Sequence, residues 1–247
     1  MSLAVVVPAF DEEKALPTTL AALDAQVDRD FRLVVVDNAS TDATPDVVRA
    51  FAADRPWVTL IHEPQRGTGA AADTGMRHAI AAGATLLART DADCVPAPDW
   101  TARIRAAFAD GLELVAGRLL PRSDEGLAAW QRGVLVGAVA VAAAFGRIRP
   151  GNRLPGARGP YLMVPGCNLA ITADLYLRSG GFPRTRIQDL HEDRALVNAV
   201  RLLTDAYGHR RDVVVRGSSR RVQAWGLRRT LAWYADHRYR PEHVDIR

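Results

Sequence analysis

The sequence predicts an α/β domain built on a mostly parallel sheet flanked by helices, and three observations predict it. A continuous apolar run rich in β-branched residues occurs at Leu3 to Val7 and a second strand-like run at Phe31 to Val36, the pattern of strands buried on both faces. Segments of helical periodicity separate such runs along the first part of the chain, as βαβ units require. The first, second and fourth runs all end in acidic residues, at the strand ends where open α/β sheets collect ligands.

The first strand, Leu3 to Val7, stops at Pro8-Ala9-Phe10-Asp11-Glu12-Glu13, and Leu16, Leu20 and Leu23 then stand at helical spacing. The second, Phe31 to Val36, ends in Asp37-Asn38-Ala39-Ser40-Thr41-Asp42. These are turn and cap residues, and they predict a helix from Ala43 to Ala53. Trp57 to Ile61 reads as the third strand, Thr68 to Ala82 as a helix and Thr85 to Arg89 as the fourth strand. That strand runs into Asp91-Ala92-Asp93. Residues i and i+2 of an extended chain point the same way, so both carboxylates are expected to face one site. Two aligned carboxylates at a strand's end suit a divalent cation carrying a phosphate-rich ligand.

Pro96 and Pro98 delay the next helix, which is expected from Asp99-Trp100 to Ala109, before a strand through Glu113-Leu114-Val115-Ala116. Asp124 to Phe145 is helical in pattern and rich in Ala and Gly. A packed core helix is the favoured reading, with a surface for lipid or an apolar acceptor as the other. Arg149 to Gly166 carries several Gly and Pro and little periodicity, as a long active-site loop does. Glu192 and Asp193 open a helical pattern through Leu196, Val197 and Val200; Val213 to Val215 reads as a last strand, followed by Ser218-Ser219-Arg220-Arg221.

Composition excludes several classes. Of 247 residues, 48% are hydrophobic and 24% charged, a globular balance with one sizeable core. The net charge of +4 rests on arginine, with Lys14 the only lysine, and no basic block interleaved with aromatics appears early in the chain; no nucleic-acid partner is expected. Cys94 and Cys167 lie far apart and give neither metal spacing nor a disulfide framework, which fits a reducing cytoplasm. The N-terminus shows no basic region and no cleavage site. The longest apolar run, Gly133 to Gly146, is bracketed by Arg132 and Arg147 and is expected to be too short to span a bilayer. A soluble cytoplasmic protein is predicted, with peripheral contact at the inner membrane face as a further expectation.

Val5-Val6-Val7-Pro8-Ala9-Phe10-Asp11-Glu12-Glu13, Val34-Val35-Val36-Asp37-Asn38-Ala39-Ser40-Thr41-Asp42, Arg66-Gly67 with Ala70 to Gly75, and Asp91-Ala92-Asp93 occur in that order. Together they resemble the nucleotide-sugar-binding half of the family-2 glycosyltransferases. Gly166-Cys167-Asn168-Leu169-Ala170-Ile171 and Gly180-Gly181-Phe182-Pro183 resemble that family's acceptor-side segment, and His191-Glu192-Asp193-Arg194-Ala195-Leu196 its Glu-Asp motif. Ordered co-occurrence is far more specific than any one piece. The resemblance implies a GT-A fold in a single domain over residues 1–247, with a nucleotide-sugar half (1–98), an acceptor-side half (99–215) and a basic C-terminal segment (216–247). It implies a metal-assisted, inverting transfer of a sugar from a nucleoside diphosphate, a UDP-sugar being favoured, to an acceptor hydroxyl on a small molecule or a lipid-linked carrier.

By the same resemblance Pro8, Ala9, Phe10 and Glu12 line the nucleoside pocket and Asp37 accepts from the base. Asp93 is the direct ligand of Mg²⁺ or Mn²⁺, with Asp91 beside it at the sugar or through water. Arg66 and Gly67 belong to the donor side, as do Arg220 and Arg221, whose forks suit pyrophosphate oxygens. Gly166, Cys167 and Asn168 lie on the acceptor side, and Asp193 is the catalytic base. Adjacent helical residues point about 100° apart, so only one of Glu192 and Asp193 can face the site. His191 is a competing base, with a suitable unperturbed pKa. The family usually carries Asn where this chain has Asp11, and the Gln-x-x-Arg-Trp motif of its polymer synthases is not matched by Gln223-Ala224-Trp225-Gly226.

Two alternatives come from other classes. Gly67-Thr68-Gly69-Ala70-Ala71-Ala72 fits G-x-G-x-x-A after a strand, as in an NAD(P)-dependent oxidoreductase, although it follows the third strand and leaves the other acidic strand ends unexplained. A non-catalytic nucleotide-sugar-binding protein on the same fold is the other; a pure binder has no need of Asp193.

Overall fold

Strands and helices alternate in the predicted order. The computed structural model describes residues 1–184 and 192–230. The chain runs through β1 (Leu3–Ala9), α1 (Leu16–Asp24), β2 (Phe31–Asp37), α2 (Thr44–Ala52), β3 (Val58–His62), α3 (Thr68–Ala81), β4 (Leu86–Arg89), β5 (Val95–Pro96), α4 (Trp100–Ala109) and β6 (Leu114–Pro121). It continues through α5 (Ala129–Ile148), β7 (Leu169–Thr172), α6 (Ala173–Arg178), α7 (Glu192–Leu203), β8 (Tyr207–Gly217) and α8 (Arg220–Trp225). The short elements β5, β7, α6 and α8, of two to six residues, were not read from the sequence. None is long enough to express a period.

The strands form one mixed sheet in the order β3-β2-β1-β4-β7-β6-β8-β5. The first four pair in parallel, with Val6 opposite both Val34 and Arg89. β7 is antiparallel to β4 and β6, and β8 is parallel to β6. The carboxyl ends of β1, β2 and β4 therefore lie side by side, and the amino end of β7 comes up beside β4. That geometry builds the site.

Alternate strand residues feed two apolar layers. On one face Val5, Leu33 and Ala88 meet Leu16, Leu20, Val48, Trp100 and Ile104 from α1, α2 and α4. On the other Val6, Val34 and Leu87 meet Met76, Leu175, Leu196 and Val200 from α3, α6 and α7. Each fully buried aliphatic side chain contributes about 1.5–3 kcal/mol. The small residues of α3 have a packing reason. A Cβ on Gly75 would lie 2.4 Å from Val6 Cγ1 and 2.8 Å from Val36 Cγ2, so this helix approaches the sheet more closely than any side chain allows.

The structure corrects the reading of the apolar stretch after β6. Residues 124–128 are not helical, and α5 begins at Ala129. It is not a core helix: only Leu135 and Gly146 are buried, while Trp130, Val141, Phe145 and Ile148 are more than half exposed. The helical pattern was right, but periodicity does not show what lies opposite a face. The 20 residues of α5 extend about 30 Å, and by length and composition the helix could cross a membrane. Counting only the apolar run between Arg132 and Arg147 omitted the turns at either end.

Candidate active site

The Asp91-Ala92-Asp93 segment is not extended. β4 ends at Arg89, and the Cys94 amide donates back to the Asp91 carbonyl at 3.1 Å, closing a turn. The Thr19 hydroxyl anchors it by donating to the Ala92 carbonyl at 2.7 Å. The two carboxylates remain neighbours, held by the turn instead of by strand alternation. Removal from water pushes the Asp91 carboxyl above its usual pKa; Arg89 opposes this, and the nearby charges of Asp93 and Glu192 add to it.

Arg89 is the residue that sequence reasoning missed. Only 1% exposed, it places a guanidinium nitrogen 3.1 Å from Asp91 Oδ1 and 3.5 Å from Glu192 Oε1, with its face toward Phe182 at 5.2 Å. Burial works against its charge, but Asp91, Glu192 and Asp193 outweigh it and hold the guanidinium above its ordinary pKa. One buried cation thus joins the end of β4 to the start of α7. The available signal was a lone arginine closing an apolar run just before two carboxylates.

Asp93 meets a second cation. Arg220 Nη2, at the start of α8, lies 2.8 Å from Asp93 Oδ2, and Arg220 Nη1 donates to Glu12 Oε2 at 2.9 Å. Glu12, expected to line the nucleoside pocket, is 8% exposed and clamps this arginine. Arg221 follows it, half-buried on α8. The structure therefore brings Arg220, distant in sequence, onto the predicted metal corner.

At the corner predicted for the nucleoside, Pro8 and Ala9 are buried inside β1, with Ala9 in register with Asp37. Asp37 is 6% exposed; its Oδ2 lies 3.0 Å from His62 Nδ1 and its Oδ1 accepts from the Ser40 amide at 3.2 Å. The Arg66 guanidinium stacks 4.7 Å over the Phe10 ring. The Gly67 amide donates to Asn38 Oδ1 at 2.8 Å, and a Cβ on Gly69 would strike the Pro183 carbonyl at 2.4 Å. Gly69, one of the two glycines that fitted a dinucleotide fingerprint, thus serves internal packing. Asp11 and Ala39 have φ of 51° and 60°, a conformation costing about 1–2 kcal/mol for a residue such as alanine. Asp11 Oδ1 offsets its share by accepting from the Thr41 amide at 2.6 Å. The strained residues sit in the loops after β1 and β2, beside the site.

On the other flank, Glu192 is buried against Arg89, and Asp193 is half-buried beside it. Asp193 Oδ1 accepts from the Arg194 amide at 2.6 Å, and its charge is felt by both Arg89 and Tyr161. Gly166 faces the Arg89 guanidinium, 3.6 Å from where its Cβ would be. Hydrogen bonding to Cys167 and burial raise the Cys94 thiol well above its usual pKa, and both cysteines are free. Asn168 does not face an acceptor. It is 1% exposed, accepts from Trp100 Nε1 at 2.9 Å and donates to the Arg118 and Val213 carbonyls at 3.0 Å. It braces β6 against β8 at the register shift, and a Cβ on Gly117 would overlap its amide. His191 lies outside the described residues.

Among the described residues no group of three or more His, Cys, Asp or Glu could hold a metal ion. The donor set is two carboxylates, Asp91 and Asp93. Hard carboxylate oxygens suit Mg²⁺ or Mn²⁺, and such ions commonly take one or two carboxylates and complete their shell with substrate phosphates and water. The Arg220 guanidinium already on Asp93 shows that the corner accepts positive charge.

The family model for glycosyl transferase family 2 matches residues 4–158. A glycosyltransferase of Mycobacterium tuberculosis is 35% identical over 151 residues, covering 61% of each chain. The undecaprenyl-phosphate mannosyltransferase of Micrococcus luteus is 32% identical over 123 residues, 49% of this chain and 50% of that one. Among solved structures, the mannosyltransferase PcManGT of Pyrobaculum calidifontis, in complex with GDP-Man and Mn²⁺, has a TM-score of 0.67 at 27% identity. The match covers 93% of this chain and 60% of that chain. The chain thus spans less than two thirds of the length of these relatives. The shared architecture is the GT-A fold.

Proposed function

The chain belongs to glycosyl transferase family 2, and on that premise we propose that it moves a sugar from a nucleoside diphosphate to an acceptor hydroxyl with inversion. The observation that carries this reading is Arg89, the single buried cation around which Asp91, Glu192 and Asp193 gather. Donor-side and acceptor-side carboxylates are thereby held at one centre, as a direct displacement needs.

Asp37 accepts a ring N–H of the base, a donor that uracil and guanine both present. Phe10 and Arg66 cover the base by stacking. Asp93, with Asp91 beside it, would hold a Mg²⁺ or Mn²⁺, and Arg220 turns its fork to the phosphate oxygens. When bound, such an ion neutralises the charge that builds on the departing diphosphate. Glu192 keeps Arg89 in place. Asp193 takes the proton of the acceptor hydroxyl on the face opposite the leaving group. The exposed apolar face of α5, with Arg132 and Arg147 near its ends, lies against the cytoplasmic membrane surface, where a lipid-linked acceptor like that of the Micrococcus relative is met.

Calorimetric titration with UDP and with GDP, each with and without Mn²⁺, tests the donor reading. Wild-type protein should bind one of them in a metal-dependent manner, and Asp93→Ala should lose that dependence. An unchanged Mn²⁺ effect in the variant would refute the role of Asp93.

A further inference from the structure

Away from the strand ends, at the foot of α5, a cavity of about 310 Å³ opens among Arg147, Arg158, Tyr161, Tyr207 and His209, with Asp205 as its acidic member. Three features set it apart from a solvated basic face. The first is charge density. Partial burial, followed by the nearby cations Arg211, Arg118 and Arg147, pushes the His209 imidazole below its usual pKa. Cations from β6, α5 and β8 are thus crowded together although like charges repel.

The second is Arg201 on α7, behind the cavity wall. It is 3% exposed, its Nη2 donates to the Gly159 carbonyl at 3.4 Å, and its guanidinium lies 5.7 Å from the Tyr161 ring. Its Nε has no hydrogen-bond partner. Its polar neighbours among the described residues are the Asn152 and Gly159 carbonyls, the Asn198 amide and the Tyr207 hydroxyl, none of them anionic, and a buried cation is costly unless an anion compensates it. The third is shape. A Cβ on Gly159 would fall 2.3 Å from the Tyr207 hydroxyl, so glycine here lets the tyrosine pack against the rim. The volume exceeds what orthophosphate alone fills and is at the lower bound for small organic ligands.

We propose that this cavity is a second anion site, separate from the nucleotide site, that binds the phosphate of a phosphomonoester. Arg147 and Arg158 supply forked donors to its oxygens, and Tyr161 and Tyr207 flank the organic part. The source of the phosphate is either a soluble metabolite or a lipid headgroup presented beside α5, and the chemistry is common to both. The site does not depend on the transfer reaction proposed above.

The test uses full-length protein saturated with a nucleoside diphosphate and Mn²⁺, titrated with glycerol 3-phosphate and with inorganic phosphate against a chloride control of equal ionic strength. Wild type should bind both. Arg158→Gln and Arg147→Gln, both at exposed positions, should weaken binding about tenfold, the expectation for losing a charge-assisted contact. Asp93→Ala should leave it unchanged, which separates this site from the donor site. Phosphatidylcholine vesicles with and without a prenyl phosphate then distinguish the sources: recruitment that requires the prenyl phosphate and Arg158 identifies a lipid, and binding of glycerol 3-phosphate without such recruitment identifies a soluble ligand. No phosphate binding beyond the chloride control, loss of phosphate binding in Asp93→Ala, or wild-type affinity in both arginine variants would overturn the proposal.

Discussion

At the ends of β1, β2 and β4 the acidic side chains are already engaged within the chain: Asp37 with His62, Glu12 and Asp93 with Arg220, Asp91 with Arg89. Along α5 the opposite holds, and among the described residues Val141, Phe145 and Ile148 are exposed with no apolar partner layer over them. Under the proposed function, the contrast follows from what each region receives. A charged, hydrated donor is best met by side chains held in place beforehand, since ordering them on binding would cost conformational entropy. An apolar surface that meets lipid needs only to be exposed and of the right length. One flank is rigid by hydrogen bonds and ion pairs, and the other is left unfinished by the fold.

The sharpest break in this comparison is at the residue between the flanks. Asp193→Asn should lower turnover by about 10²–10⁴-fold, the range for losing a general base, while nucleotide affinity in the titration above stays as in wild type. Near-normal turnover would remove Asp193 from the chemistry. Next in size is Arg89→Leu. Leaving the Asp91 and Glu192 carboxylates without their buried cation should cost about 3–5 kcal/mol, read as a fall in the urea midpoint. A loss below about 1 kcal/mol, the level of a surface pair, would mean that the donor flank is not held as described. The smallest stability effect belongs to α5. Val141→Glu with Phe145→Glu should change stability by no more than about 0.5 kcal/mol per site, yet reduce sedimentation with anionic vesicles. Unfolding of that variant would show that α5 is a packed element after all.

Much of the donor flank could be read in the chain because its information is local. Apolar runs of strand length, turn residues after them and carboxylates at fixed offsets put Asp37, Asp91 and Asp93 at the edge of one parallel sheet. The order of the motifs identified the family that residues 4–158 match. What the chain did not reveal was anything that required knowing the partner. Asn168 lies in the segment resembling the acceptor side, but its amide is spent on Trp100, Arg118 and Val213, from three other elements. Glu12 resembled a pocket residue and proved to clamp an arginine more than two hundred positions on in sequence.

By itself, then, the sequence determined the alternation of strands and helices, the parallel first half of the sheet and the acidic strand ends, because each is set by periodicity and turn chemistry within a few residues. Only the tertiary structure decided that Arg89 binds Asp91 to Glu192, that Arg220 lies on Asp93, that α5 is exposed and that Arg147, Arg158 and His209 surround one cavity. These depend on contacts between elements far apart in the chain, where burial and charge pairing are fixed by which surfaces meet and leave no local pattern to read.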